Sequence, residues 1–337
     1  MTENASRIRV ASNFDNTRYR LSVMGAEHRQ AFEQLFTDSF GYQPKAGWWD
    51  WKYGKSGLNG RALGLWDEHG NLIAHYGGFP RLLGHQGRAI RAIQIGDVMV
   101  ARAHRGLLTR QGPFFVVCSA FFERWVGPGQ AFEFAFGFPH LRHTRLGTLR
   151  GLYHDLGVLQ QLAWRAKNSW GWQWSLRPVE LTTEDLGQAV KRLHQDMSAR
   201  LAQTMIGNRD LEYLQARFFS RPDVRYALYG LYKRFNRWPK ALLVFRLDDE
   251  RAQWLDYVGP PQLIAEACEA ATREIARIGR IEFSGWVSTA MRSYCANTGA
   301  EDQGTAAYFA VSQRSTIGQN QLQSMSWWWM GGDNDFL

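Results

Sequence analysis

The residues best suited to chemistry lie where an apolar strand pattern runs into a basic loop. The segment Gly96 to Val100 is followed by three arginines around one glycine, Arg102, Arg105, Gly106 and Arg110, and then by a helix pattern. Backbone N–H groups at a helix N-terminus attract anions, and arginine pairs with phosphate oxygens in fork geometry. From residue 102 to 150 there are seven arginines against two glutamates. The sequence therefore predicts an anion site here, against the alternative of a solvated loop.

A carboxylate stands beside this loop. Asp97 interrupts an otherwise apolar strand three residues before Val100. A carboxylate held by a strand at a cleft could act as a general base, directly or through water. The alternative is a structural hydrogen-bond partner. The residues alone leave both roles open.

Composition narrows the class of protein. The 337 residues carry 40 Lys and Arg against 31 Asp and Glu, a formal charge of +9, which suits an anionic partner. Three widely spaced cysteines cannot form a disulfide framework, so we expect a reducing, cytoplasmic location and no metal. The longest apolar run, 114–122, is too short to span a bilayer, so we expect no membrane partner.

Periodicity predicts a mixed α/β fold. In the first half we expect strands over 18–24, 62–66, 71–76, 88–100, 132–136 and 152–164, with helices over 26–36, 114–126 and 139–150. The second half repeats this order, because Trp51-Lys52-Tyr53 and Ala216-Arg217-Phe218 each stand 11 residues before a leucine of a strand. A strand over 252–258 and a helix from 262 to 278 fit the same plan. We infer a duplicated α/β unit.

The first half resembles the GNAT-type acyltransferase family. VMVARAHRGLL looks like that family's strand and phosphate loop, and FGFPHLRHTRLGTLRGL resembles the strand, helix and glycine that follow. The resemblance implies an acyl-CoA donor, acetyl-CoA or another acyl-CoA. Met99 and Val100 would bind the pantetheine arm, and the pyrophosphate would lie on a loop formed by Arg105, Gly106, Leu107, Leu108, Thr109 and Arg110. Arg102 and Leu108 depart from the family pattern and put the loop's shape in doubt.

The resemblance also sets the expected domains. We predict a disordered tail over 1–16, a GNAT-like domain over 17–165, a crossover over 166–180, a degenerate second GNAT-like domain over 181–325 and a docked tail over 326–337. The second copy has Gly259-Pro260-Pro261 at the loop position. Two prolines remove two N–H donors, so this copy should not bind CoA.

The catalytic acid is not where the family places it. The usual tyrosine would fall at Gly147, so His143 and Tyr153 are the nearby candidates. Trp48, Trp49 and Trp51 are expected to pack in a core or between domains, although they could also cover an acceptor. The tail, with Trp327, Trp328 and Trp329, is too apolar to be free. If it docks on the first copy, Asp333, Asp335 or the terminal carboxylate would be a rival to Asp97.

The sequence thus predicts an N-acyltransferase acting on a small-molecule amine. Two other classes stay open: a noncatalytic protein that binds an anion or nucleic acid, and a transferase of the same tandem fold that uses aminoacyl-tRNA. We do not expect nucleic acid to be the partner, and oligomerisation is left open.

Overall fold

The computed structural model describes residues 19–106, 112–180 and 182–337. The predicted disordered tail over 1–16 lies outside these residues. The chain divides into two compact units. The first comprises the described part of Met1–Arg81, with Arg91–Asp155 and Ala310–Gln319, and the second comprises Leu82–Ile90, Leu156–Phe309 and Asn320–Leu337. The division falls within long strands, whereas the sequence placed the boundary after residue 165.

The first unit is a mixed sheet with helices. Its elements in chain order are β1 (Arg20–Val23), α1 (Arg29–Phe40), α2 (Trp48–Tyr53), β2 (Arg61–Trp66), β3 (Leu72–His85), β4 (Arg88–Val100), α3 (Pro113–Trp125), β5 (Phe134–Gly137), α4 (Leu141–Leu149) and the start of β6 (Tyr153–Arg165). The strand order is β1-β2-β3-β4-β5, followed by β13. β1, β2 and β3 pair antiparallel, while β4 and β5 pair parallel. Each element predicted for this half is confirmed, although β3 continues nine residues beyond its predicted end at Tyr76.

Apolar periodicity explains this agreement. α3 begins with a proline in its first turn and buries Val116, Val117, Phe121 and Phe122 against the sheet. On a second cluster, α1 and α2 bury Phe32, Phe36 and the three tryptophans of α2, each only 4% exposed. The expectation that these tryptophans are packing residues is confirmed.

The second unit contains the remaining strands and helices. Its elements are β7 (Trp174–Pro178), α5 (Thr183–Arg200), β8 (Thr204–Gly207), α6 (Leu211–Leu214), β9 (Tyr226–Lys233), β10 (Ala241–Leu247), β11 (Arg251–Val258), α7 (Ile264–Arg277), β12 (Glu282–Val287), α8 (Thr289–Arg292), β13 (Glu301–Ser315), α9 (Gln319–Ser324) and β14 (Ser326–Trp328). The order β6-β12-β11-β10-β9-β7 places β11 and β12 side by side and parallel. The predicted strand over 252–258 and helix over 262–278 are confirmed as β11 and α7.

The tryptophan-rich C-terminal segment is part of the second unit. β14 pairs in parallel with β8, and Trp328 and Met330 join the core formed by β11, β12 and α7. The alternative in which this tail docks on the first copy is therefore wrong, because its apolar side chains are buried within the second unit. Asp333 is not a rival base, because it is fully buried and ion-paired.

A buried ion triad fixes this segment. The Arg209 guanidinium donates at 2.7 Å to Asp256 of β11 and at 2.7 Å to Asp333, and all three side chains are fully buried. Burial by itself would lower the pKa of Arg209, but the two carboxylates hold it above its usual range. Burial and the charge of Asp333 raise the pKa of Asp256. The triad joins the C-terminal segment to the central strand of the unit.

Arg209→Met should lower the free energy of unfolding by about 3–5 kcal/mol, because two buried carboxylates lose their cation. Urea unfolding measures this change. The exposed Arg225→Gln is the control and should change stability little. Adding Asp256→Asn and Asp333→Asn to Arg209→Met should recover part of the loss. A triple variant no more stable than Arg209→Met would contradict the proposed role of charge.

Candidate functional site

The candidate site lies where β4 extends beyond the end of its neighbour β5. Parallel pairing covers Ala92 to Gln94 of β4 against Phe134 to Phe136 of β5. β5 ends at Gly137, whereas β4 continues to Val100. Strands that pair and then part leave backbone N–H and C=O groups able to bind an extended ligand as an added strand would. Met99 and Val100, which were predicted to bind the donor, belong to the part of β4 that extends beyond β5.

Asp97 bends β4 within this stretch. Its φ of +51° lies in the left-handed region, which a residue other than glycine adopts only where its surroundings hold it. Aspartate tolerates this conformation better than most residues. Irregular backbone of this kind bends a strand and re-aims the residues that follow.

Side chains of α2 hold Asp97 in place. Lys52 Nζ donates to Oδ1 at 2.8 Å, and Tyr53 Oη donates to Oδ2 at 2.7 Å. Lys52 is 1% exposed and Asp97 is 0% exposed. Lys52 and Tyr53 are consecutive residues of α2, a short helix bounded by Gly47 and Gly54. The Lys52–Asp97 pair was missed by sequence reasoning, because Lys52 looked like a polar residue among packing tryptophans.

This geometry does not support Asp97 as a base that contacts an amine directly. Both carboxylate oxygens are hydrogen-bonded, and the side chain has no exposed surface. Of the two roles left open by the sequence, the structure favours the structural one. Asp97 positions the bent strand.

His75 of β3 completes the cluster from the other side. Its Nδ1 lies 2.7 Å from the backbone carbonyl oxygen of Asp97. A carbonyl can only accept, so Nδ1 carries the proton and Nε2 is an unprotonated acceptor. Nε2 is buried and has no hydrogen-bond partner in the part of the chain that the structure describes. The rings of Phe32 and Tyr53 pack on the imidazole at 4.9 and 5.8 Å.

Tyr153 occupies the space that a side chain at position 147 would need. A Cβ atom built on Gly147 of α4 would lie 1.9 Å from Cδ2 of Tyr153. The ring of Tyr153 therefore packs against the helix backbone at the position where the family pattern has a tyrosine, four residues before Gly151. The sequence signal was the glycine itself, since only glycine admits a ring so close to a helix backbone.

The Tyr153 hydroxyl belongs to a buried polar group. It lies 2.7 Å from the Tyr76 hydroxyl and 3.6 Å from Sγ of Cys118. Burial raises the pKa of both tyrosines well above 10, and it raises the pKa of Cys118 to about 12. Tyr153 is therefore a protonated donor at neutral pH, and Cys118 is a thiol rather than a nucleophilic thiolate.

The predicted anion site is only partly described. Gly106 has φ of +98°, and Arg105 Nε donates to the carbonyl oxygen of Val100 at 2.8 Å. The residues Leu107, Leu108, Thr109 and Arg110, which were predicted to bind the pyrophosphate, lie outside the described residues. Arg102 and Arg105 are exposed beside the end of β4, as an anion site requires.

His143 belongs with these cations. It is exposed on α4 with its ring stacked on Phe114 at 6.4 Å. Partial desolvation, with the charges of His140, Arg142 and Arg105, lowers its pKa below the ordinary value. His143 is therefore within electrostatic reach of Arg105 of the predicted anion loop.

The second unit closes the corresponding space with its own chain. β11 and β12 pair from Arg251 to Trp254 and then continue to Val258 and Val287. The C-terminal segment lies between these ends: Met330 bridges to Val287, and a Cβ on Gly332 would lie 2.6 Å from the carbonyl oxygen of Leu255. Arg217, the counterpart of Lys52 in the repeat, donates to the carbonyl oxygens of Gly332 and Asn334.

Known proteins share this architecture. Residues 20–139 match the Acetyltransferase (GNAT) domain family. No curated protein sequence matches the chain. Among solved structures, a probable N-acyltransferase from Enterococcus faecalis V583 is 13% identical, with a TM-score of 0.62 over 87% of this chain and 71% of that chain. A GCN5-related N-acetyltransferase from Anabaena variabilis ATCC 29413 is 14% identical, with a TM-score of 0.63 over 87% and 72%.

A larger acyltransferase also has the fold. Saccharomyces cerevisiae N-myristoyltransferase, solved with bound myristoyl-CoA and inhibitors, is 11% identical, with a TM-score of 0.56 over 92% of this chain and 81% of that chain. At such identities the likeness shows the fold alone. The match over residues 20–139 and the solved structures together show a GNAT-type fold for this chain.

Two of the sequence-based predictions concerned metal ions and membranes. Among the described residues, no three His, Cys, Asp or Glu side chains come together as a group that could hold a metal ion. None of the described helices is both long and apolar enough to cross a membrane.

Stability should depend on pH through His75. Burial lowers the pKa of His75 to about 4, although Asp97 opposes the shift, while the ordinary value is 6.5. The unfolded state therefore binds more protons between these values, so the stability is present above pH 6.5 and is lost as the pH falls toward 4. His75→Gln should reduce this acid loss by up to about 3 kcal/mol.

Urea unfolding across this pH range measures the effect. His69→Gln, an exposed histidine in a turn, is the control and should leave the pH dependence unchanged. An unchanged pH dependence in His75→Gln would show that the imidazole is not held neutral in the fold.

Proposed function

We propose that the protein is an N-acyltransferase that moves an acyl group from acyl-CoA to the amine of a small molecule, using the first unit. One observation carries the proposal: β4 extends beyond the end of β5 and is bent at Asp97. A buried lysine and a tyrosine hydroxyl hold the Asp97 carboxylate at this bend. The family match over residues 20–139 includes this strand, α2 and the loop that follows. Acetyl-CoA is the simplest donor that fits, and longer acyl chains are tested below.

The donor arm would add to β4 as a short strand does. Pantetheine carries two amides, which can pair with the backbone of Met99 and Val100. The phosphates would then reach Arg105 and Gly106, where backbone N–H groups and guanidinium favour an anion. Leu107, Leu108, Thr109 and Arg110 stay part of this proposed phosphate loop, and we assign His143 to the same end.

The second unit would not bind a donor. Its equivalent opening between β11 and β12 is filled by Met330 to Asp333, and the loop after β11 contains Pro260 and Pro261. We propose that the two units arose by duplication and that the second has exchanged an external ligand for the chain's own C-terminal segment. One donor site per chain follows from this arrangement.

Acyl transfer needs a proton at sulfur. The amine nitrogen attacks the thioester carbonyl carbon, the C–N bond forms, and the C–S bond breaks to release a thiolate. We propose Tyr153 as the acid that protonates this thiolate, because its hydroxyl is protonated at neutral pH. Since this hydroxyl is buried beside Tyr76 and Cys118, the proton would pass to the thiolate only when the bound donor reaches this buried group. The proton released by the amine restores the tyrosine, so the products are an amide and CoA thiol.

Calorimetry with acetyl-CoA, longer acyl-CoAs and free CoA tests the proposal, together with CoA-thiol release in the presence of a panel of amines. We expect one site per chain and thiol release that depends on the amine. A chain that binds none of the CoA species would contradict the proposal. Binding of polyanions without competition from CoA would instead indicate a noncatalytic anion-binding protein.

Tyr153→Phe should lower kcat by roughly 10²–10⁴, the contribution of a general acid, while the Kd for acyl-CoA stays unchanged. The matched variant is Tyr76→Phe, which keeps the Tyr153 hydroxyl and should reduce kcat less. Steady-state kinetics and calorimetry on both variants measure the split. An unaltered kcat in Tyr153→Phe would remove Tyr153 from the chemistry.

A further inference from the structure

Three aromatic side chains in neighbouring loops of the second unit are exposed. Trp170 is 89% exposed, Trp172 is 60% exposed and Phe235 is 92% exposed. They lie in two loops, one before β7 and one after β9. The loops are neighbours, because Trp174 of β7 pairs with Lys233 of β9 and the backbone N–H of Arg234 donates to the carbonyl oxygen of Gln173. Exposed aromatic clusters of this kind mark interaction surfaces.

Basic side chains surround these rings. Lys233 at the end of β9 and Arg234 and Arg237 in the turn that follows are exposed. Neither 165–174 nor 233–240 contains an aspartate or glutamate. Arg273 of α7 donates to the carbonyl oxygen of Trp174, and its carboxylate partner is Glu269 at 2.6 Å. We call Trp170, Trp172, Lys233, Arg234, Phe235 and Arg237 the aromatic–basic patch.

The geometry holds the patch open. The Arg234 guanidinium lies 5.3 Å from the ring centroid of Trp172 and 4.6 Å from that of Phe235, so one cation fixes both rings. Phe235 has φ of +64°, a conformation that a bulky residue rarely adopts. The strained backbone keeps an apolar side chain in water at the tip of the turn, which packing within the unit does not explain.

We propose that this patch binds the surface of an anionic lipid bilayer. Tryptophan and phenylalanine at loop tips enter the headgroup region, while flanking Lys and Arg pair with anionic lipids. Such a contact needs no membrane-spanning segment. The proposal therefore differs from the sequence-based prediction of no membrane partner. That prediction considered only the absence of an apolar run long enough to span a bilayer.

Single-stranded nucleic acid is the other polyanion that uses aromatic and basic residues. Its bases stack on open ring faces. In this patch the Arg234 guanidinium already covers one face of Trp172 and one face of Phe235. The highly exposed tips of Trp170 and Phe235 suit insertion better than stacking, so the observations favour a bilayer.

Vesicle flotation of the full chain tests this proposal. Vesicles of phosphatidylcholine alone are compared with an equimolar mixture of phosphatidylcholine and phosphatidylglycerol, at physiological and at high salt. We expect the protein to float with the anionic vesicles and to be released in part by high salt. Trp170→Ser with Phe235→Ser should weaken this binding at least about tenfold, as should Arg234→Gln with Arg237→Gln.

Matched variants control for general effects. Leu149→Ser removes a side chain that is 83% exposed in the first unit, and Arg225→Gln removes an exposed charge outside the patch; both should float like the parent protein. Circular dichroism and the thermal midpoint verify folding of each variant.

If the protein floats with neither kind of vesicle, the proposal is wrong. Equal losses in the control variants would also overturn it. If the protein instead binds a labelled single-stranded oligonucleotide, does not float, and loses oligonucleotide binding in the patch variants, the surface serves nucleic acid. The proposed acyl transfer is assayed separately with soluble amines, so its failure and the failure of this proposal are distinguishable.

Discussion

The first unit depends on a lysine–aspartate pair that is withdrawn from water. Removing both charges from water is costly, and it is offset only where the geometry is good and the remaining oxygen is hydrogen-bonded. Lys52 and Tyr53 meet these conditions by taking one oxygen of Asp97 each. The pair fixes a left-handed residue inside β4, and that residue bends the strand where β5 ends. Loss of one partner would leave a buried charge and an unsupported bend.

The two units contain comparable buried ion pairs that serve different purposes. Asp97 of β4 and Asp256 of β11 each precede a strand end, a turn and a helix, and each is neutralised by a buried cation. In the second unit the cations also hold the C-terminal segment, through Arg209 to Asp333 and Arg217 to Gly332. A strand opening that the chain fills for itself is stable without a ligand. This contrast supports assigning the donor to the first unit.

Much of the fold could be predicted from the sequence because local patterns agreed with the tertiary structure. The periodicity of α3, the length of β4 and the turn after β11 are properties of contiguous residues. The bend at Asp97 could not be predicted, because it depends on Lys52, which is 45 residues distant. The C-terminal segment was correctly expected to be buried, but hydrophobicity does not specify which surface it covers. Gly147 signalled a missing tyrosine, and only coordinates showed the ring of Tyr153 in that space.

Hydrogen–deuterium exchange with and without CoA tests the central assignment most directly, because it reads the backbone of both strand openings in one experiment. Binding along β4 would slow exchange in peptides covering residues 95–106, while peptides covering 255–263 would exchange at unchanged rates. Protection of the second segment, or protection of neither in the presence of bound CoA, would contradict the account of one donor site in the first unit.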